Sequence, residues 1–120
     1  MGRVAITGIG VVSPLGLDAA STWASAIEGR SGVDWIGAFD VEGLPVRIAG
    51  EVKGFDPLAV APPKEARKLE RNVLFALSAS REALEDSGLT GFDPARVAVV
   101  FGSAVGGITG VAEQAAILRD

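Results

Sequence analysis

The chain has 120 residues, 48% hydrophobic and 22% charged, with a net charge of −4. That is the length of one ordinary domain, too apolar for disorder, and its acidic balance weighs against general affinity for nucleic acid or an anionic membrane. Cysteine and histidine are both absent, which excludes a disulfide, a thiol nucleophile, an imidazole base and the usual zinc site from these residues.

The opening MGRVAITG runs straight into apolar residues without a signal-peptide pattern, and no apolar run is long enough to span a bilayer. The expectation is a soluble, cytoplasmic protein. Residues 3–8 read as a short buried strand, followed by the loop GIGVVSPLG. Asp18 is placed to cap a helix over AASTWASAIEG, with Trp23 and Ile27 on one face beside Ala20 and Gly29 as its stop. Residues 30–63 are rich in glycine and proline and predict an ordered but irregular excursion, with a partial strand pattern over 46–52.

The strongest helical pattern covers 64–87, entered after Pro62 and Pro63 and stopped by Gly88. Its length would be about 36 Å. Leu69, Val73, Ala76, Leu77, Ser80 and Leu84 form the predicted inward stripe. The turn GFDP at 91–94, which also occurs at 54–57, leads into a strand over 96–101. A last helix is expected from about Thr109 to Asp120. Strand, helix, excursion, helix, strand, helix is the order of an α/β layered fold with buried strands. The final AEQAAILRD ends within a helical pattern, and two strands leave much apolar surface without cover. Both points predict a piece of a larger fold; a small domain with a frayed last helix is the alternative.

Two glycine loops invite nucleotide readings, and neither holds. Gly102, Gly107 and Thr109 have phosphate-loop spacing, but Ile108 stands where the charge-neutralising lysine belongs. Gly8 and Gly10 begin a dinucleotide fingerprint whose third glycine is Ser13, and Pro14 breaks the helix that should follow. The plain reading of both loops is tight turns where backbones pack closely. At Gly106–Gly107 a bend free of side chains also leaves room for a ligand or partner.

Lys64, Arg67, Lys68 and Arg71 follow helical spacing, so they share one face of the predicted long helix near its N-terminus. Glu82, Glu85 and Asp86 lie near its C-terminus. This places charge against the helix dipole at both ends. The stripe is either a solvated face laced by Glu65–Lys68 and Arg67–Glu70 pairs or a docking surface for an acidic protein. A nucleic acid suits it poorly, because the patch is small and the rest of the chain acidic.

The motifs VAITGIGVVSPLG, STWASAIEGRSGV, the Phe39–Asp40 pair, AGEVKGFDP, PKEARKLERNVLFALSASREALEDSGL and VVFGSAVGGITG occur in that order. Together, from Arg3 to about Gln114, they resemble the N-terminal part of the β-ketoacyl-acyl-carrier-protein synthases, closest to the type II elongating enzymes. The resemblance implies the N-terminal portion of a thiolase-like α-β-α-β-α layered fold, with 1–120 as a partial domain, and a homodimeric parent. It implies decarboxylative Claisen condensation in fatty-acid biosynthesis, in which a cysteine takes the acyl group from acyl carrier protein and malonyl-carrier protein supplies the carbanion. Two histidines stabilise the oxyanion, and the cysteine sits at a helix N-terminus that lowers its pKa.

The cysteine and both histidines lie later in the family's sequence, so no catalytic residue is expected in this chain, and the chain alone is expected to be inactive. No metal or redox cofactor is implied; the substrate rides on the phosphopantetheine arm of the carrier. Lys64, Arg67 and Lys68 match family positions that meet the carrier protein. Val105, followed by Gly106 and Gly107, matches an apolar residue that gates the acyl pocket near the dimer interface. Ala104 departs from the glycine common there. The other readings are a non-catalytic carrier-binding module and part of a polyketide ketosynthase.

Overall fold

The computed structural model describes residues 2–119. Asp18 starts the first helix as its spacing predicts. It is extended, its carboxylate accepts the Ser21 N–H at 2.6 Å, and helix α1 runs Ala19–Ile27. Trp23 and Ile27 share a face, but that face is open, with Trp23 68% exposed. The covered side of α1 is polar instead: Ser25 is buried, and its hydroxyl donates to the Leu15 carbonyl at 3.0 Å. Before the helix, SPLG closes a tight turn in which Ser13 and Gly16 exchange both backbone hydrogen bonds. That turn stands where a dinucleotide fingerprint would begin its helix.

Within 30–63, strand β1 (Val33–Trp35) pairs antiparallel with β2 (Ile48–Gly50), Val33 opposite Gly50 and Trp35 opposite Ile48. β2 falls inside the expected 46–52 pattern; β1 has too few residues to show a period. The Glu51 carboxylate holds the chain beyond β1 by accepting the Gly37 and Ala38 N–H groups at 2.9 and 3.0 Å. Lys53 closes on Asp34 at 2.6 Å.

The two GFDP sequences are one turn used twice. Gly54 and Gly91 have φ near +70° (+72° and +68°), which favours glycine. Asp56 and Asp93 then cap 3₁₀ turns at Pro57–Ala59 and Pro94–Arg96, accepting the Leu58 and Ala95 N–H groups.

The long helix expected over 64–87 is broken. Helix α2 is short, Pro63–Ala66, and α3 runs Arg71–Ser87, with Glu70 extended between them at ψ 149°. Tertiary burial overrides the helical pattern here. The bend lets Ala66 and Leu69 from one side and Leu74 from the other close over Ala61 and Phe55, the one small hydrophobic cluster among the described residues. Leu74 is therefore the buried residue of α3, whereas Val73, Leu77 and Leu84 of the predicted inward stripe stay open. Gly88 ends α3 at φ +60°, as predicted.

The two predicted buried strands do not form. Residues 3–8 and 96–101 carry no strand pairing, and their apolar side chains are bare, Val4 at 97% and Val100 at 89% exposure. A strand exists through its ladder, and one apolar on both faces needs layers above and below. These residues supply neither. The N-terminal segment docks on α3 by its backbone instead. Ile9 N–H donates to Asp86 at 2.9 Å, Val11 N–H to Glu82 Oε2 at 2.8 Å, and the Ala19 N–H of α1 to Glu82 Oε1 at 2.7 Å. Gly8 and Gly10 make the approach possible, because a Cβ at either would strike the α3 backbone at Ala83 or Ala79. The acidic end of the helix, misplaced for its own dipole, serves these donors. The last helix, α4, spans Ile108–Ile117; residue 120 of the predicted 109–120 helix lies outside the described residues.

The accessible surface is 9708 Å². A closed monomer of this mass would show about 6,000 Å². The radius of gyration is 17.6 Å, against about 14 Å for a compact chain of this length. The elements form an open layer, with most large apolar side chains on its surfaces.

Candidate functional site

The basic segment is built on the break between α2 and α3. Ala66 and Leu69 turn inward, and Lys64, Arg67 and Lys68 are left outward and exposed. The Lys68 and Leu69 N–H groups both donate to the Glu65 carbonyl, at 2.8 and 3.2 Å, closing the end of α2. The predicted Glu65–Lys68 and Arg67–Glu70 pairs do not form. Among the described residues the ion pairs are Arg30–Glu28 and Lys53–Asp34, each at 2.6 Å. A laced, self-neutralised face is thus not what the fold builds.

Arg71, the fourth member of the predicted stripe, is also exposed and lies near Arg67 and Lys68, but its guanidinium is engaged within the fold. Its guanidinium donates to the Val52 carbonyl at 2.6 Å and lies 5.0 Å over the Phe75 ring, which meets Phe55 edge-on at 4.9 Å. Arg71 ties the excursion to α3. Arg81 does the same one helical stretch further on, donating to the Ala59 and Val60 carbonyls at 2.9 Å each. The one-face arrangement expected of four cations required a continuous helix; with the break, Arg67, Lys68 and Arg71 still border one cavity and Lys64 does not.

The glycine loop lies beyond residues 96–101. Gly106 takes φ +69°, and its N–H donates to the Ser103 hydroxyl at 2.9 Å. Val105 is 67% exposed and is not among the residues that line the cavities beside α3 and α4. An apolar cavity of about 450 Å³ lies next to the loop, between Val73, Ala76 and Leu77 of α3 and Val99, Phe101, Gly102 and Ser103. Gly107 is the N-cap position of α4 and has no side chain to cap it. Glu70 fills that place from across the fold: its Oε1 accepts the Gly110 N–H at 3.0 Å. A second cavity, of about 410 Å³, is lined by Arg67, Lys68, Glu70, Thr109 and Glu113 among others, so the basic segment and the start of α4 are neighbours. Lys64 stands apart from this cavity.

Glu70 carries no motif that marks it in the sequence. Glu82 and Asp86 had one signal, acid at the wrong end of a helix. No thiol or imidazole is present to act on a carbonyl, so this surface can bind and orient but has no nucleophile of the usual kind.

Residues 1–119 match the family described as Beta-ketoacyl synthase, N-terminal domain. The chain belongs to the β-ketoacyl synthase family. Among its relatives in the family, the 3-oxoacyl-[acyl-carrier-protein] synthase 2 of Coxiella burnetii is 45% identical over 108 residues, covering 88% of this chain and 26% of that protein. The chloroplastic 3-oxoacyl-[acyl-carrier-protein] synthase II of Arabidopsis thaliana is 37% identical over 111 residues, covering 88% of this chain and 20% of that protein. Among solved structures, the ishigamide ketosynthase/chain length factor superposes with a TM-score of 0.64 at 36% identity, over 73% of this chain and 22% of that one. The chain spans about a quarter of the length of the first of these synthases. The likeness to a ketosynthase structure fits an N-terminal part of that fold. No helix among the described residues is long and apolar enough to cross a membrane.

Proposed function

We propose that this chain forms the N-terminal segment of a 3-oxoacyl-[acyl-carrier-protein] synthase, a partial thiolase-like domain in which 30–63 is the irregular excursion. The complete synthase, a cytoplasmic homodimer, elongates acyl chains by decarboxylative condensation with malonyl-carrier protein. The observation that carries this reading is the family match over residues 1–119, supported by 45% identity to a named synthase. The nucleophilic cysteine and the two histidines come from outside these residues, which contain neither type. Substrate arrives on the phosphopantetheine arm of acyl carrier protein, without a metal.

In this reading the segment has two tasks. Lys64, Arg67 and Lys68 dock the acidic carrier; their exposure and their lack of internal ion pairs among the described residues support it. Docking by charge raises the encounter rate and fixes orientation more than it adds affinity. Val105 gates the acyl chain from the loop it shares with Gly106 and Gly107, and its apolar, exposed side chain is free to meet a pocket supplied by the rest of the synthase. Charge reversal at Arg67 and Lys68 in the complete synthase is expected to raise KM for carrier-bound substrate and leave kcat for a small thioester unchanged. An unchanged carrier KM contradicts the docking role.

A second reading, a polyketide ketosynthase, is favoured by one observation: a structural neighbour is a ketosynthase/chain length factor. Assay of the complete synthase with a saturated acyl carrier against an unreduced 3-oxoacyl carrier as the acyl donor separates the two: acceptance of the saturated donor alone supports the first reading, and extension of the unreduced one supports the second.

A further inference from the structure

We propose that Glu70 is a positioning residue that sets acyl-chain selectivity by capping α4 from across the fold. The inference rests on the reading of Val105 as the acyl gate and adds a residue to that site.

Glu70 is the N-cap residue of α3, yet its side chain makes no capping bond to α3. It reaches forty positions along the chain to accept the Gly110 N–H at 3.0 Å. Gly110 is the third residue of α4, whose N-cap is Gly107 and has no side chain. The first turn of a helix has unpaired N–H groups and a partial positive charge, which a carboxylate satisfies. The notch that receives the carboxylate is made by two glycines: a Cβ at Gly107 or Gly110 would occupy the same space as the Glu70 side chain. Loop 102–107, which carries Val105, runs directly into this anchored turn. Glu70 therefore fixes the end of the loop against the α2–α3 bend. Released from that anchor, the loop holds Val105 less firmly and admits longer acyl chains.

The test uses the complete synthase with three variants. Glu70→Ala removes the acceptor. Gly110→Ala keeps Glu70 but fills its notch, and alanine is the better helix former, so α4 itself gains. Glu70→Gln keeps an oxygen acceptor of the same reach. Glu70→Ala and Gly110→Ala are each expected to raise the ratio of kcat/KM for long over short acyl carriers by roughly fivefold, the size of a lost cap. The carrier-protein KM stays unchanged, and Glu70→Gln restores most of the wild-type ratio. An unchanged ratio in both alanine variants overturns the proposal, as does a raised carrier KM with the ratio intact. Failure of both alanine variants to fold assigns the contact to folding alone and overturns it too. The Val105→Phe variant, run beside them, keeps the two readings apart: a chain-length profile that ignores Val105→Phe refutes the gate, whereas a profile that responds to it while the Glu70 and Gly110 variants are indifferent refutes only the role of Glu70.

Discussion

Single carboxylates do much of the long-range work in this chain. Glu82 joins three elements by accepting backbone N–H groups from Val11 and Ala19 with its two oxygens. Hydrogen bonds to a charged acceptor are worth about 1.5–3 kcal/mol when partly buried. Glu82→Ala in the complete synthase should therefore destabilise by about 2 kcal/mol, read by urea unfolding, and should speed hydrogen exchange at Val11 and Ala19 first. A variant as stable as the wild type would show that the two contacts add nothing.

Glu51 makes a pH-dependent version of the same clamp. Its carboxyl is held below the usual range, first by the Gly37 and Ala38 N–H groups and then by the charges of Lys53 and Arg71. A depressed carboxyl contributes stability above its unfolded pKa of about 4.3 and loses it as pH falls through the folded value. The Gly37 and Ala38 amide shifts should titrate together with a midpoint below about 4.3, and Glu51→Gln should abolish that titration. A midpoint at or above the unfolded value contradicts the clamp. Val105 has the simplest expectation: Val105→Phe narrows the gate and should lower kcat/KM for long acyl chains while sparing short ones. An unaltered chain-length profile removes Val105 from the site.

Among the elements, those whose signals are local were legible in the sequence. Asp18 and Gly29 bound α1, Gly88 stops α3, and the GFDP turns repeat with the same glycine, aspartate and proline roles. Each depends on a few neighbouring residues. What failed depends on distant partners. The α2–α3 break is set by Ala61, Phe55 and Leu74 closing together, and no residue between 67 and 70 is a helix breaker. The strands at 3–8 and 96–101 need neighbours that these residues do not include. The basic segment was visible as composition, but which cations are left unengaged depends on distant partners: Arg71, though exposed, is taken up by Val52 and Phe75. Glu70 was invisible because its partner, Gly110, lies forty residues away.

At the scale of the whole molecule, the account rests on the open layer. Ala61, Ala66 and Leu74 are the buried hydrophobics among the described residues, while Val4, Trp23, Val99, Val100 and Phe101 stand in solvent. A monomer normally hides contiguous apolar patches of more than a few hundred Å². Unpaired apolar segments of this kind also invite edge-to-edge association. The excess of accessible surface over a closed monomer is what the remainder of a synthase would bury. Small-angle X-ray scattering on the 120-residue polypeptide, with its mass measured in parallel, tests this most directly. The account predicts either a radius of gyration near the 17.6 Å of the structure or self-association through the bare faces. A monodisperse monomer of about 14 Å that melts cooperatively would contradict it.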